Sequence, residues 1–114
     1  IQNEEIDSLI ELFIDTANRN LENEDIDVIR GSLNMISKIL NSSNSNLIHE
    51  SLISRVFILL NDIIVKSKKV NLRRFSVVCY SSISKNHVFN KRAMKSINQL
   101  PETQRKLVFL YLKK

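Results

Sequence analysis

Apolar residues along this chain recur every three to four positions and almost never alternate. Ile6, Leu9, Ile10, Phe13, Ile14, Ala17 and Leu21 keep helical spacing through residues 4–21. Glu4, Glu5 and Asp7 crowd the first turn of that segment, where a helix dipole favours negative charge. "ENED" at 22–25 interrupts the pattern. A second helix is expected from about Asp25 to Leu40, with Ile29, Leu33, Ile36 and Leu40 on one face. Gly31 falls inside it at a cost of ~1 kcal/mol relative to alanine; a close helix neighbour would account for its presence.

"NSSNSN" at 41–46 reads as a polar turn suited to capping. A third helix, about 46–67, carries Leu47, Ile48, Leu52, Ile53, Val56, Phe57, Leu60, Ile63 and Ile64. It is apolar around much of its circumference and is expected to lie centrally. "KSKKVN" at 66–71 leads to a fourth helix, 71–85, and "KNH" to a fifth, 88–99. Pro101 stands where a sixth helix tolerates proline, and that helix runs into a closing Lys-Lys. The expected fold is all-α: about six antiparallel helices, arranged either as an α-solenoid-like repeat or as a compact bundle.

Shifting the sequence by 44 lays Leu9, Leu12, Phe13, Ile14 and Leu21 on Ile53, Val56, Phe57, Ile58 and Val65. The same shift lays Leu33, Met35 and Ile39 on Val77, Cys79 and Ile83. A period near 44 belongs to stacked two- or three-helix repeats. "DVIRGSLNMISKIL" and "NLRRFSVVCYSSIS" both resemble the second, inward helix of a HEAT/armadillo repeat, with a basic residue near the start and an apolar stripe after it. The resemblance covers about residues 4–86 and does not extend to a third copy over 88–112. It implies a scaffold that binds other macromolecules along one face, and it assigns no role to any residue.

Composition agrees with helices. Of 114 residues, one is glycine and one proline, too few for the turns of sheets and long loops. Apolar residues make up 43%, enough for a core. The chain starts at Ile1, so residues 1–114 are expected to be a single all-helical domain cut from a larger protein. Runs such as "VFILL" fall far short of the ~20 apolar residues of a membrane span. One cysteine permits no internal disulfide, which suggests an intracellular, reducing compartment, nuclear or cytoplasmic.

Charge adds the functional lead. Residues 1–50 hold three basic and ten acidic residues, net −7; residues 51–114 hold fourteen and two, net +12. Acidic and basic helices stacked on each other would explain that polarity, and so would an electrostatic partner of the basic half. The basic cluster comprises Lys66, Lys68, Lys69, Arg73, Arg74, Lys85, Lys91, Arg92 and Lys95. Merged on one rim of the helix array, these residues would bind an acidic or phosphorylated protein segment. Nucleic-acid phosphates are the alternative, and a purely structural piece of a helical scaffold is a second alternative. Five phenylalanines, two tyrosines and no tryptophan supply base stacking poorly.

"RRFS" at 73–76 has the form that a basophilic kinase reads. At ~100° per residue, however, Ser76 lies inside the arc of Leu72, Phe75, Cys79 and Ile83, while Arg74 lies opposite with Ser81 and Lys85. Ser76 is therefore expected to be a buried helix residue bonding back to a carbonyl, with the arginines belonging to the basic surface.

Catalytic chemistry finds little footing. His49 and His87 are far apart in sequence, and Cys79 sits in an apolar stripe, so no zinc-site spacing is formed. One glycine makes no phosphate-cradling loop. The paired acids Glu4/Glu5 and Asp25/Asp27 stand at helix starts, where capping explains them. The expectation is a non-enzymatic interaction module without cofactor, metal or small-molecule substrate.

Overall fold

The computed structural model describes residues 3–42 and 47–113. Six helices follow one another: α1 (Asn3–Arg19), α2 (Ile26–Leu40), α3 (Glu50–Lys66), α4 (Val70–Ser84), α5 (Asn90–Ile97) and α6 (Glu102–Leu112). Among the described residues there is no strand. All six expected helices are present, and among the described residues no helix is long and apolar enough to cross a membrane.

Boundaries follow local chemistry. Asp25 caps α2, its carboxylate accepting from the Val28 N–H at 3.3 Å. α3 starts at Glu50, later than expected, because His49 takes the cap position. The His49 N–H donates to Asp7 Oδ1 of α1 at 3.1 Å, and its ring accepts from the Ser51 N–H. Residues 43–46 of the expected polar turn lie outside the described residues. Asn41 ends α2 and donates its side-chain amide to Ser82 of α4 at 2.9 Å. Pro101 precedes α6 with its carbonyl accepting from the Arg105 N–H.

α1 and α2 form one helical hairpin, and α3 and α4 form the next. The hairpins stack in parallel: α1 lies on α3 and α2 on α4. α5 then covers α3 and α4, and α6 covers α4. α4, rather than α3, is therefore the most surrounded helix, flanked by α2, α3, α5 and α6. That position buries Ser81, which the helical wheel places on the solvent side; α5 and α6 close over the face that a two-hairpin stack would leave open.

Side-chain bonds between the hairpins join residues of nearly constant separation. Asp15–Arg55 (40 apart), Asn41–Ser82 (41), Asp7–His49 (42) and Glu24–Ser67 (43) are all of this kind. The register of the stack is 43, one residue short of the shift by 44. At 44, buried Ile14 falls on Ile58, which is 58% exposed, and Leu12, 52% exposed, falls on fully buried Val56. At 43, Ile10, Ile14, Ala17, Ile29, Leu33, Ile36 and Leu40 fall on Ile53, Phe57, Leu60, Leu72, Ser76, Cys79 and Ile83, every one of them buried. One residue rotates a helix position by about 100°, so identity of residue type at a shift of 44 did not carry identity of environment.

One continuous apolar core runs through all six helices. Within it a polar knot ties α3, α4 and α5. The buried Tyr80 hydroxyl donates to Asn61 Oδ1 at 2.5 Å and lies 2.9 Å from Ser96 Oγ. The Asn61 amide donates to the Ser96 carbonyl and hydroxyl, each at 3.1 Å. The Tyr80 ring stacks on Phe57 with centroids 5.7 Å apart. Burial pushes the Tyr80 phenol pKa up, opposed by its bond to Ser96.

Candidate functional site

The basic residues divide between the two ends of α4. Lys66 ends α3, Lys68 and Lys69 occupy the link, and Arg73 and Arg74 lie in the first turns of α4. Lys85 closes the far end of that helix, roughly 22 Å away at 1.5 Å per residue. Lys91, Arg92 and Lys95 stand on α5 near the start of α3, where Arg92 pairs with Glu50 at 2.5 Å. The geometry therefore presents two basic groups, not one merged rim.

The second group is largely structural at its centre. Arg92 is half-buried, lies over the Phe89 ring at 5.3 Å and donates to the Val88 carbonyl as well as to Glu50. Lys91 and Lys95 project beside it to solvent. In the first group Arg73 donates to the Ser67 carbonyl at 2.6 Å, which orients its guanidinium across the link. Lys66 makes a long, exposed pair with Asp62 at 3.7 Å, of little energetic weight. Among the described residues, Lys68, Lys69, Arg74, Lys85, Lys91 and Lys95 form no ion pair. Stacking of the acidic on the basic half accounts for Asp15–Arg55 and Glu50–Arg92; at the α3–α4 link the basic residues outnumber the nearby carboxylates, Glu24 and Asp62.

That link is held rigidly by Glu24. Its carboxylate Oε1 accepts from the Ser67 hydroxyl and from the Lys68 N–H, both at 2.7 Å. Glu24 adopts a left-handed backbone with φ 47°, rare for a residue other than glycine. The Ser67 hydroxyl, the Lys68 N–H and the Lys69 ammonium hold its carboxyl below the usual 4.5. A side chain in the turn of the first hairpin thus fixes the turn of the second.

Beside the first basic group runs an apolar groove of about 570 Å³ between α4 and α6. Val65, Val70 and Val77 form one wall, and Leu107, Val108 and Tyr111 the other; Arg73 and Arg74 stand on its rim and Gln104 supplies a polar contact. Val65, Val70 and Leu107 are exposed although large and apolar. These valines and leucines are the part of the site that charge alone did not indicate. Val70 and Val77 sit seven residues apart on the side of α4 away from Leu72 and Ile83. They form a second, weaker stripe that becomes meaningful once α6 is placed opposite it.

Other candidate chemistry resolves into structure. Cys79 is buried in the core, and burial pushes its thiol up to about 12, far from a reactive thiolate. Ser76 is fully buried as expected, yet its hydroxyl has no hydrogen-bond partner. The expected bond back to a helix carbonyl is not made. Among the described residues, no three His, Cys, Asp or Glu side chains gather in a group able to hold a metal ion. The aromatic rings are buried or half-buried, and Phe75 is covered by Arg30 at 5.1 Å. A scan against protein-family models found no match, and comparisons with curated proteins and with solved structures found none either.

Proposed function

We propose that this chain is a non-catalytic interaction module that docks an acidic protein segment in the α4–α6 groove. The observation that carries the reading is the juxtaposition of exposed Val70 and Leu107 with Arg74, which forms no ion pair among the described residues, beside Lys68 and Lys69. Apolar walls take the anchoring side chains of an amphipathic segment, and the basic rim takes its carboxylates or phosphates. Protein is favoured over nucleic acid because the groove lining is mainly aliphatic and its one ring, Tyr111, is half-buried. The same reading takes α1–α4 as two repeats of the HEAT/armadillo kind. Its support is the 43-residue register and the parallel stacking of the two hairpins.

The test is fluorescence anisotropy with a labelled acidic amphipathic peptide and, in parallel, labelled RNA and duplex DNA, each at low and moderate salt. Arg74→Glu and Leu107→Glu run beside the wild type. The expected result is peptide binding that weakens with salt and falls at least tenfold in both variants. Nucleic-acid binding lost in Arg74→Glu but unaffected in Leu107→Glu would replace the reading with phosphate recognition. Absence of any salt-sensitive binding would leave the charges as a solvated surface and overturn it.

A further inference from the structure

The stack has a second exposed apolar face, at its opposite end. On α1, Leu9 and Leu12 are 39% and 52% exposed and share a shallow hollow with Glu5 and Ser8. Leu9 sits roughly 160° and 120° round the helix from Asp7 and Asp15, the residues that reach α3, and Leu12 roughly 140° and 60° from them. Leu9 therefore faces away from the second hairpin, and Leu12 lies beside it on the exposed outer flank of α1. The α4–α6 groove faces away from the first hairpin: Val70, Arg73, Arg74 and Val77 lie roughly 80–180° round α4 from Phe75 and Ser82, which meet α2.

The two faces are complementary in three respects. Both are apolar, both are presented on helices of the same stack, and their charges are opposite. The α1 face belongs to the half of net −7 and carries Glu5 at its edge; the groove belongs to the half of net +12 and carries Arg73 and Arg74. We infer that copies of this chain associate head to tail, the Leu9/Leu12 face of one copy seating on the Val70/Leu107 groove of the next. This deepens the reading of the groove as a dock for acidic protein and rests on it. The two faces differ in identity and lie at opposite ends, so each contact leaves a free face at either end. Such a heterologous contact extends an open chain instead of closing a symmetric dimer.

Sedimentation velocity over a range of protein concentrations tests this, with Leu12→Glu and Arg74→Glu as variants. Both positions are exposed, and circular dichroism verifies that the variants fold. At low salt the wild type is expected to grow in average mass with concentration beyond a dimer, and to return to monomer at high salt. Each variant alone is expected to stay monomeric. Mixed in equal amounts, they retain one intact α1 face and one intact groove between them, so the mixture is expected to yield a dimer that grows no further. A wild type that stays monomeric throughout overturns the inference; if it still binds the acidic peptide, the groove reading stands and another occupant covers the α1 face. A dimer that persists in both single variants overturns it too, since it would use another surface.

Discussion

Ser76 of α4 occupies the place in the second hairpin that Leu33 of α2 occupies in the first. Both are fully buried at the 43-residue register, yet Leu33 fills its site with methyl groups and Ser76 brings a hydroxyl that no group satisfies. A buried polar group without a partner costs about 1–3 kcal/mol. Ser76→Ala is therefore expected to raise the unfolding free energy by about 1 kcal/mol, read from urea denaturation. Ser76→Asp is expected to lower it by several kcal/mol by burying a charge. A kinase recognising "RRFS" should modify the urea-unfolded chain and leave the native one untouched. A destabilised Ser76→Ala variant would show that the hydroxyl is used.

Gly31 was expected to make room for a neighbouring helix, but it lies exposed on α2 and a Cβ built there meets nothing within 4 Å. No steric reason for glycine remains, and its φ is not positive. Gly31→Ala should stabilise the protein by about 0.5–1 kcal/mol through helix propensity and reduced freedom of the unfolded chain. A rise of a few degrees in Tm would bear this out; a fall would mean that the open side of α2 is occupied in solution.

The Tyr80–Asn61–Ser96 knot joins three helices through a buried hydroxyl. Tyr80→Phe keeps the ring stacked on Phe57 and leaves the Asn61 carbonyl oxygen without its donor, so a loss of about 1–3 kcal/mol is expected. In combination with Asn61→Leu the second change should cost less than it does alone, because the knot is satisfied as a unit. Additive losses in the urea midpoints would show that the two residues act independently.

Glu24 gives the stack a pH dependence. Its folded pKa lies below the ordinary 4.5 because of Ser67, the Lys68 N–H and Lys69. The stabilisation is thus fully present above the unfolded value and disappears as pH falls through the lower folded value. Glu24→Gln should lower Tm at neutral pH, and the difference from wild type should shrink steadily below about pH 4.5. Glu24→Gly separates the two properties of the residue, since it relieves the left-handed backbone and still deletes the staple. A Tm difference that persists unchanged into strong acid would assign the loss to something other than the carboxylate.

Buried thiol chemistry provides a simple probe of the same core. Burial raises the Cys79 pKa to about 12, so native protein at neutral pH should react with a thiol reagent only through opening of the fold. Its labelling rate should rise sharply in urea. Rapid labelling of the native state would place Cys79 outside the core.

The sequence by itself determined six helices and the inward face of each long one. Periodicity near 3.6 is a local property that burial then selects, so Ile10, Ile14, Ile29, Leu33, Leu60 and Ile83 were legible as core. It also determined the charge polarity and the scarcity of glycine and proline, one of each. Tertiary structure decided the rest. The repeat register is 43 because at that shift the buried positions of the first hairpin fall on buried positions of the second, which residue similarity at 44 concealed. The division of the basic cluster follows from α4 being a rod roughly 22 Å long, with Lys69 at one end and Lys85 at the other. The Glu24 staple and the α4–α6 groove arise from segments distant in sequence, brought together by the burial of apolar faces. Local spacing states which face of a helix is greasy; only packing decides which greasy faces are covered and which remain open to a partner.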